Sequence, residues 1–176
     1  MNSKKQKMQD TQMSQPAVSL RAALLAGLIA ITLNTVVLYL AQFIPLRTEA
    51  GGLLKVLKLG FGDALGASFL NQAWSQMKLP SPESEVFKTG FHVIVGLGMA
   101  LFYATVFEPR LSGTAWRKGF CYALLAWLLN AFVVLPWIGE GIAGNHHLGL
   151  TGMVYYAAAH TIFFVLLALL YARLRR

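Results

Sequence analysis

The sequence predicts an all-α membrane protein, a four-transmembrane-helix bundle with an amphipathic interfacial helix between spans 1 and 2. Three observations support this prediction. Hydrophobic residues make up 56% of the 176 residues and charged residues only 12%, unlike an ordinary soluble domain. The mean hydropathy is +0.56. The charges are confined to short stretches between long apolar runs, so the main solvent of the chain is expected to be lipid.

Four apolar runs are each long enough to cross a hydrocarbon core of about 30 Å at about 1.5 Å per residue. The first is too long for the apolar part of a cleaved signal peptide, so we expect it to be retained. Residues 1–20 are polar, have no hydrophobic period and are expected to form a disordered cytoplasmic tail. Residues 21–176 then form a single transmembrane domain, with spans at about 22–45, 87–107, 119–139 and 150–172.

The stretch between the first two spans has a mixed character. Charged residues interrupt its apolar residues, which argues against a fifth span. Its apolar side chains fall on one side of a helix and its lysines on another, as in a helix that lies in the membrane interface. A re-entrant hairpin over residues 51–74 is the alternative, because its glycines permit a turn. The residues concerned are Leu54, Lys55, Leu57, Lys58, Gly60, Phe61, Gly62, Asp63, Ala64, Leu65 and Gly66.

Basic residues are distributed unevenly about the four spans. If both termini are cytoplasmic, that side holds ten basic and two acidic residues, and the other side holds five of each. The whole formal charge of +8 therefore lies on one side, which is the positive-inside pattern for an even number of spans. Membrane lipids with anionic headgroups are the expected partners. Nucleic acid is excluded because the basic residues are not interleaved with aromatic residues on one polar face.

Three polar residues are expected near the middle of the membrane. Asn34, Asn130 and His160 lie about 15 to 18 Å along their spans. Polar groups at that depth are expected to point inward and form hydrogen bonds between helices. A structural polar layer that fixes helix register is the favoured interpretation. In the sharper interpretation His160 is a proton-relay, ligand or metal-binding group, positioned by the two asparagines.

The other histidines are weaker candidates for a cofactor or metal site. His92 is near the outer end of the second span, and about 9 Å of depth separates it from His160, which strains a bis-histidine haem. His146 and His147 lie in the outer loop with Glu140, but adjacent histidines lack the spacing of a helical zinc site. We therefore expect solvated loop histidines and no cofactor.

Small residues indicate close helix packing. Gly96, Ala100 and Ala104 recur every fourth residue in the second span, and Gly149 and Gly152 open the last one. Such stripes let another backbone approach closely. The single cysteine, Cys121, has no partner for an intrachain disulfide and is expected to be structural. The sequence has no Walker loop, no GxSxG and no GxGxxG that follows a strand, so we do not expect an enzyme.

Three segments follow one another in a familiar order, with a basic loop after the first. They are FHVIVGLGMALFYATVF, YALLAWLLNAFVVLP and HHLGLTGMVYYAAAH. Over about residues 85–172 the chain resembles small four-span bacterial inner-membrane proteins of the YagU-like kind. The resemblance implies four helices and an inner-membrane location, and it carries over no catalytic residues.

The favoured function is that of a non-enzymatic membrane protein that acts through helix packing and lipid contact. It would be an accessory or assembly subunit of a membrane complex, or a homo-oligomer. A small oligomeric transporter or proton-linked channel is one alternative, with Asn34, Asn130 and His160 along the path. A haem- or metal-binding membrane protein that uses the outer-half histidines is the other.

Overall fold

The structure is a computed structural model that describes residues 18–44, 76–77 and 84–176. These residues form helices, turns and short loops without a strand, and four of the helices are long and apolar enough to cross a membrane. For the residues that the structure describes, the prediction of an all-α protein with four such helices is confirmed. The helices are α1 (Leu20–Leu40), α2 (Glu85–Arg110), α3 (Ala115–Trp137) and α4 (Leu150–Leu174). Residues 1–17 of the predicted tail and the interfacial segment 51–74 lie outside the described residues.

Serines begin the first two helices. The Ser19 and Ser84 hydroxyls accept hydrogen bonds of 3.2 Å from the amides of Ala22 and Phe87, which satisfies one free amide at each helix start. At the other end of α2 the helix extends to Arg110, beyond the last apolar residue of the run. Helix α3 likewise begins at Ala115, before its apolar run. Both helices therefore carry charged residues into their ends.

Each of α2 and α3 contains one widened turn before a proline. The turns are π-helical and cover Tyr103–Phe107 and Asn130–Val134. In them, the Glu108 and Leu135 amides donate to carbonyls five residues earlier. A proline lacks an amide proton, and its ring crowds the carbonyl four residues before it. The wider turn relieves this crowding, so both helices continue past their prolines, Pro109 and Pro136.

Small residues allow the helices to approach closely. Helix α1 contacts α2 and α4, and α4 also contacts α3. A Cβ atom added to Gly96 of α2 would lie 2.5 Å from the Ile31 side chain of α1, and one added to Gly119 of α3 would lie 2.8 Å from the Val165 Cα of α4. Both gaps are below van der Waals contact, so these glycines determine how near the helices lie.

Aromatic rings fill the space between α2, α3 and α4. The Tyr122 ring of α3 is tilted against the Tyr103 ring at 5.6 Å and meets the Phe164 ring edge-to-face at 4.5 Å (centroid distances). Its hydroxyl donates to the Met99 carbonyl at 3.1 Å, which satisfies its polar end inside an apolar core. The outward faces of all four helices carry exposed leucine, valine and phenylalanine side chains, as expected for helices surrounded by lipid.

Candidate functional site

Asn34 links three helices in the interior of the protein. Its side chain is 1% exposed. The Asn34 Nδ2 donates to the Ala159 carbonyl of α4 at 2.8 Å, and its Oδ1 lies 3.1 Å from His92 Nε2 of α2. A backbone carbonyl only accepts hydrogen bonds, which fixes the orientation of the amide. The Asn34 oxygen therefore faces the ring, and His92 must donate through Nε2.

His160 lies on the same turn of α4 as the carbonyl that Asn34 contacts. Its Nδ1 donates to the Tyr156 carbonyl at 2.8 Å, and its ring centroid is 4.1 Å from that of Tyr156. Because Nδ1 carries the proton, Nε2 of the neutral ring carries a lone pair.

The two imidazoles each have one ring nitrogen without a partner. His92 Nδ1 and His160 Nε2 have no hydrogen-bond donor among the described residues. Every fully enclosed side-chain nitrogen or oxygen of these residues does have a partner. The two lone pairs therefore border accessible space. An open imidazole lone pair accepts a proton, a hydrogen bond or a metal ion.

The third residue of the expected polar layer, Asn130, forms no hydrogen bond with the other two. Asn130 is at the start of the π-helical turn of α3 and is half-buried. Its side chain has no hydrogen bond to the described residues. The structure thus brings Asn34 and the His160 turn together, adds His92 and leaves Asn130 outside this network. The depth argument missed His92 because it measured each helix from its own first residue, although helices are staggered.

A sequence signal for His92 was available. It lies four residues before Gly96, at the head of the stripe that continues through Ala100 and Ala104. Residues at this spacing share one helix face, and this face of α2 packs against α1. Gly96, Ala100, Ala104 and Gly152 are buried. At Gly149, an added Cβ would meet nothing within 4 Å.

The loop between α3 and α4 holds its two histidines by internal contacts. His147 Nδ1 contacts a carboxylate oxygen of Glu140, which is buried. His146 Nδ1 donates to the Gly139 carbonyl at 2.9 Å. Gly141 has φ +74°, and a Cβ there would lie 2.0 Å from Asn145 Oδ1, so only glycine fits this turn. Within residues 18–44, 76–77 and 84–176, no three His, Cys, Asp or Glu side chains are grouped to hold a metal ion.

A second polar cluster lies at the opposite end of the helices. Glu108 of α2 is buried, and its Oε1 accepts from Lys118 Nζ of α3 and Arg175 NH2 of α4, both at 2.8 Å. The Arg175 guanidinium lies 5.3 Å from the Tyr171 ring centroid. The Tyr171 hydroxyl accepts from the Ser19 amide at 3.4 Å. This cluster, which we call the charged cluster, comprises Glu108, Lys118, Arg175 and Tyr171.

The charged cluster did not follow from the sequence. The apolar run ends at Phe107, and Glu108 followed by proline has the pattern of a loop. The available signal was its isolation, because Glu108 is one of only two acidic residues assigned to the basic side. A single carboxylate among many cations is expected to have a cationic partner.

No family model, curated protein or solved structure matches this chain. The resemblance to YagU-like proteins therefore stays a prediction.

Proposed function

We propose that this chain is a non-enzymatic integral protein of the bacterial inner membrane that acts through helix packing and lipid contact. Its role is that of an accessory or assembly subunit of a larger complex. In this proposal the four spans form one bundle with both termini in the cytoplasm. The gathering of basic residues at one end of the helices supports that orientation, because positively charged ends are retained on the cytoplasmic side.

The observation that carries the accessory role is the outward face of α2. Gly90, Ile94, Gly98 and Phe102 recur every fourth residue, and all four are exposed. A Cβ at Gly90 or Gly98 would meet nothing within 4 Å. The opposite face, with Gly96 and Ala100, packs against α1. The two open glycines on this face support docking of another transmembrane helix, since glycine permits close backbone contact.

Photocrosslinking tests this role. A photoreactive amino acid at Ile94, which is 67% exposed, is expected to give a discrete protein adduct in native membranes. The matched control is Val154 of α4, which is 60% exposed and should give lipid adducts only. The G98L variant should lose the Ile94 adduct, because its side chain fills the face. Lipid adducts alone at Ile94 would contradict the accessory role.

The open lone pairs of His92 and His160 favour a second candidate, a proton-linked transporter or channel formed by an oligomer. Ionisable residues inside membranes commonly mark proton relays. The neutral amide–imidazole layer is therefore also a candidate proton path.

Two substitutions separate structure from proton transfer. In His160→Asn, the amide nitrogen replaces Nδ1 as the donor to Tyr156, and in His92→Gln it replaces Nε2 as the donor to Asn34. Both variants lose the open lone pair. If the layer conducts, each variant should fold normally and reduce proton flux in liposomes about 10-fold or more. The control His146→Ala should conduct as the wild type does. Unchanged flux in both layer variants would reject the conduction candidate.

A further inference from the structure

One end of the four helices is strongly basic. The contacts of the charged cluster bring together the start of α1, the end of α2, the start of α3 and the end of α4. Among the described residues, seven basic side chains lie at this end against one acidic side chain, Glu108. The basic residues are Arg21, Arg110, Arg117, Lys118, Arg173, Arg175 and Arg176. Most of them are exposed, whereas Lys118 and Arg175 are largely buried.

Glu108 fixes two of these cations without using all their donors. Lys118 and Arg175 both contact the same carboxylate oxygen, and Lys118 also donates to the Glu108 carbonyl at 3.1 Å. An ammonium has three donors and a guanidinium has five. Lys118 therefore retains one unused N–H donor, and Arg175 retains most of its five N–H donors. The Tyr171 ring also restricts the position of the guanidinium.

We propose that Lys118 and Arg175 bind the phosphate of an anionic phospholipid. The proposal rests on the membrane function above and names the lipid class that this end of the protein recognises. Two cations beside one carboxylate leave a local charge of +1, which a phosphate can neutralise by accepting the unused donors. Glu108 acts as the positioning residue, because it sets both cations in place before the lipid arrives.

The location favours a lipid over a soluble phosphate. The cluster lies where the spans end, at the expected headgroup level. Trp116 and Phe120 lie on the outward side of α3, away from Lys118, and Leu174 is exposed at the end of α4. This end of the helices therefore presents apolar side chains as well as cations. Acyl chains can cover such side chains while the phosphate contacts the cations. A soluble anion would leave them uncovered.

Native mass spectrometry of the full chain in detergent tests the proposal. Phosphatidylglycerol is the probe and phosphatidylcholine is the neutral comparison. Lys118→Gln and Arg175→Gln should each weaken phosphatidylglycerol binding about 10-fold, as expected for a lost charge-assisted contact. Arg117→Gln and Arg173→Gln remove the same charge from exposed neighbours and should weaken it less than about 3-fold. Lys118→Arg should retain binding, and unchanged thermal unfolding of this variant excludes misfolding.

Three results would overturn the proposal. Equal loss in all four glutamine variants would mean a diffuse electrostatic effect without a site. Equal binding of the two lipids would exclude recognition of an anion. Displacement of the lipid by millimolar inorganic phosphate would identify a soluble ligand. The Ile94 crosslinking result is independent of these outcomes, so failure of the lipid site and failure of the accessory role can be told apart.

Discussion

The protein contains two polar clusters that join the helices through different kinds of interaction. The charged cluster at the helix ends joins α2, α3 and α4 through a carboxylate and two cations, with side chains 10–19% exposed. The Asn34 layer joins α1, α2 and α4 through an amide, an imidazole and a backbone carbonyl. Of these two clusters, the one with full charges lies at the helix ends. Between the helix ends, uncharged hydrogen-bonding groups join the helices, and a fully buried ion there would be costlier to desolvate.

The largest expected effect tests the charged cluster. Glu108→Ala removes the shared partner of two largely buried cations and should lower the free energy of unfolding by about 3–5 kcal/mol. The control is Glu85→Ala, which breaks an exposed pair with Lys88 at 2.9 Å and should cost less than about 1 kcal/mol. Unfolding in mixed detergent micelles measures both. Equal losses would mean that burial does not distinguish the two pairs.

The next effect tests how closely α3 and α4 approach beside the charged cluster. Gly119→Ala places a Cβ 2.9 Å from the Phe164 carbonyl oxygen, and the backbone must shift, at a cost of about 1–3 kcal/mol. In Gly98→Ala the Cβ meets open space. This control should be neutral or stabilising by up to about 1 kcal/mol, because alanine favours helix. A stable Gly119→Ala protein would show that the helices separate without cost.

The neutral layer should respond more weakly than the charged cluster. Asn34→Ala leaves the His92 donor without its acceptor and should lower the free energy of unfolding by about 1–2 kcal/mol. The matched control is Asn130→Ala, at an asparagine that has no hydrogen bond to the described residues. It should cost less than about 0.5 kcal/mol. Similar losses of unfolding free energy for the two variants would mean that the hydrogen bonds of Asn34 do not stabilise the protein.

The smallest effect isolates a single hydroxyl between the clusters. Tyr122→Phe keeps the ring contacts and removes the 3.1 Å bond to the Met99 carbonyl. We expect a loss of about 0.5–1 kcal/mol, measured by the same unfolding assay. Tyr39→Phe is the control, since Tyr39 is exposed. If Tyr122→Phe lowered the free energy of unfolding as much as Asn34→Ala does, the amide that links three helices would contribute no more to stability than a single hydroxyl–carbonyl hydrogen bond.

The sequence predicted the helices better than it predicted their ends. Long apolar runs depend only on side-chain hydropathy, so all four helices could be recognised. Their ends depend on which charged residues find partners. Glu108 and Lys118 extend α2 and α3 beyond the apolar runs because they bind each other across the turn between the helices. No pattern within either run contains that information.

The polar layer was foreseen only in part. Asn34 and His160 follow from the rise per residue and from the cost of polar groups in lipid. The contribution of His92 depends on the stagger between α1 and α2, which the close contact at Gly96 determines. The position of Asn130 depends on the π-helical turn, which changes the facing of residues there. The first depends on how two helices pack and the second on one irregular turn. Neither can be predicted from the spacing of residues along a single helix.

The two widened turns also bear on how the gene tolerates insertions and deletions. A π-helical turn holds one residue more than the α-helical turn it replaces, and the segments on either side keep their mutual facing. Loss of one codon within Tyr103–Phe107 would therefore leave Glu108 directed at the same neighbours, but Pro109 would then crowd the carbonyl four residues before it. The same loss one turn earlier in α2, in a regular stretch, would rotate the two sides by about 100°. The extra residue in each turn therefore admits a proline into α2 and α3 without rotating the segments on either side.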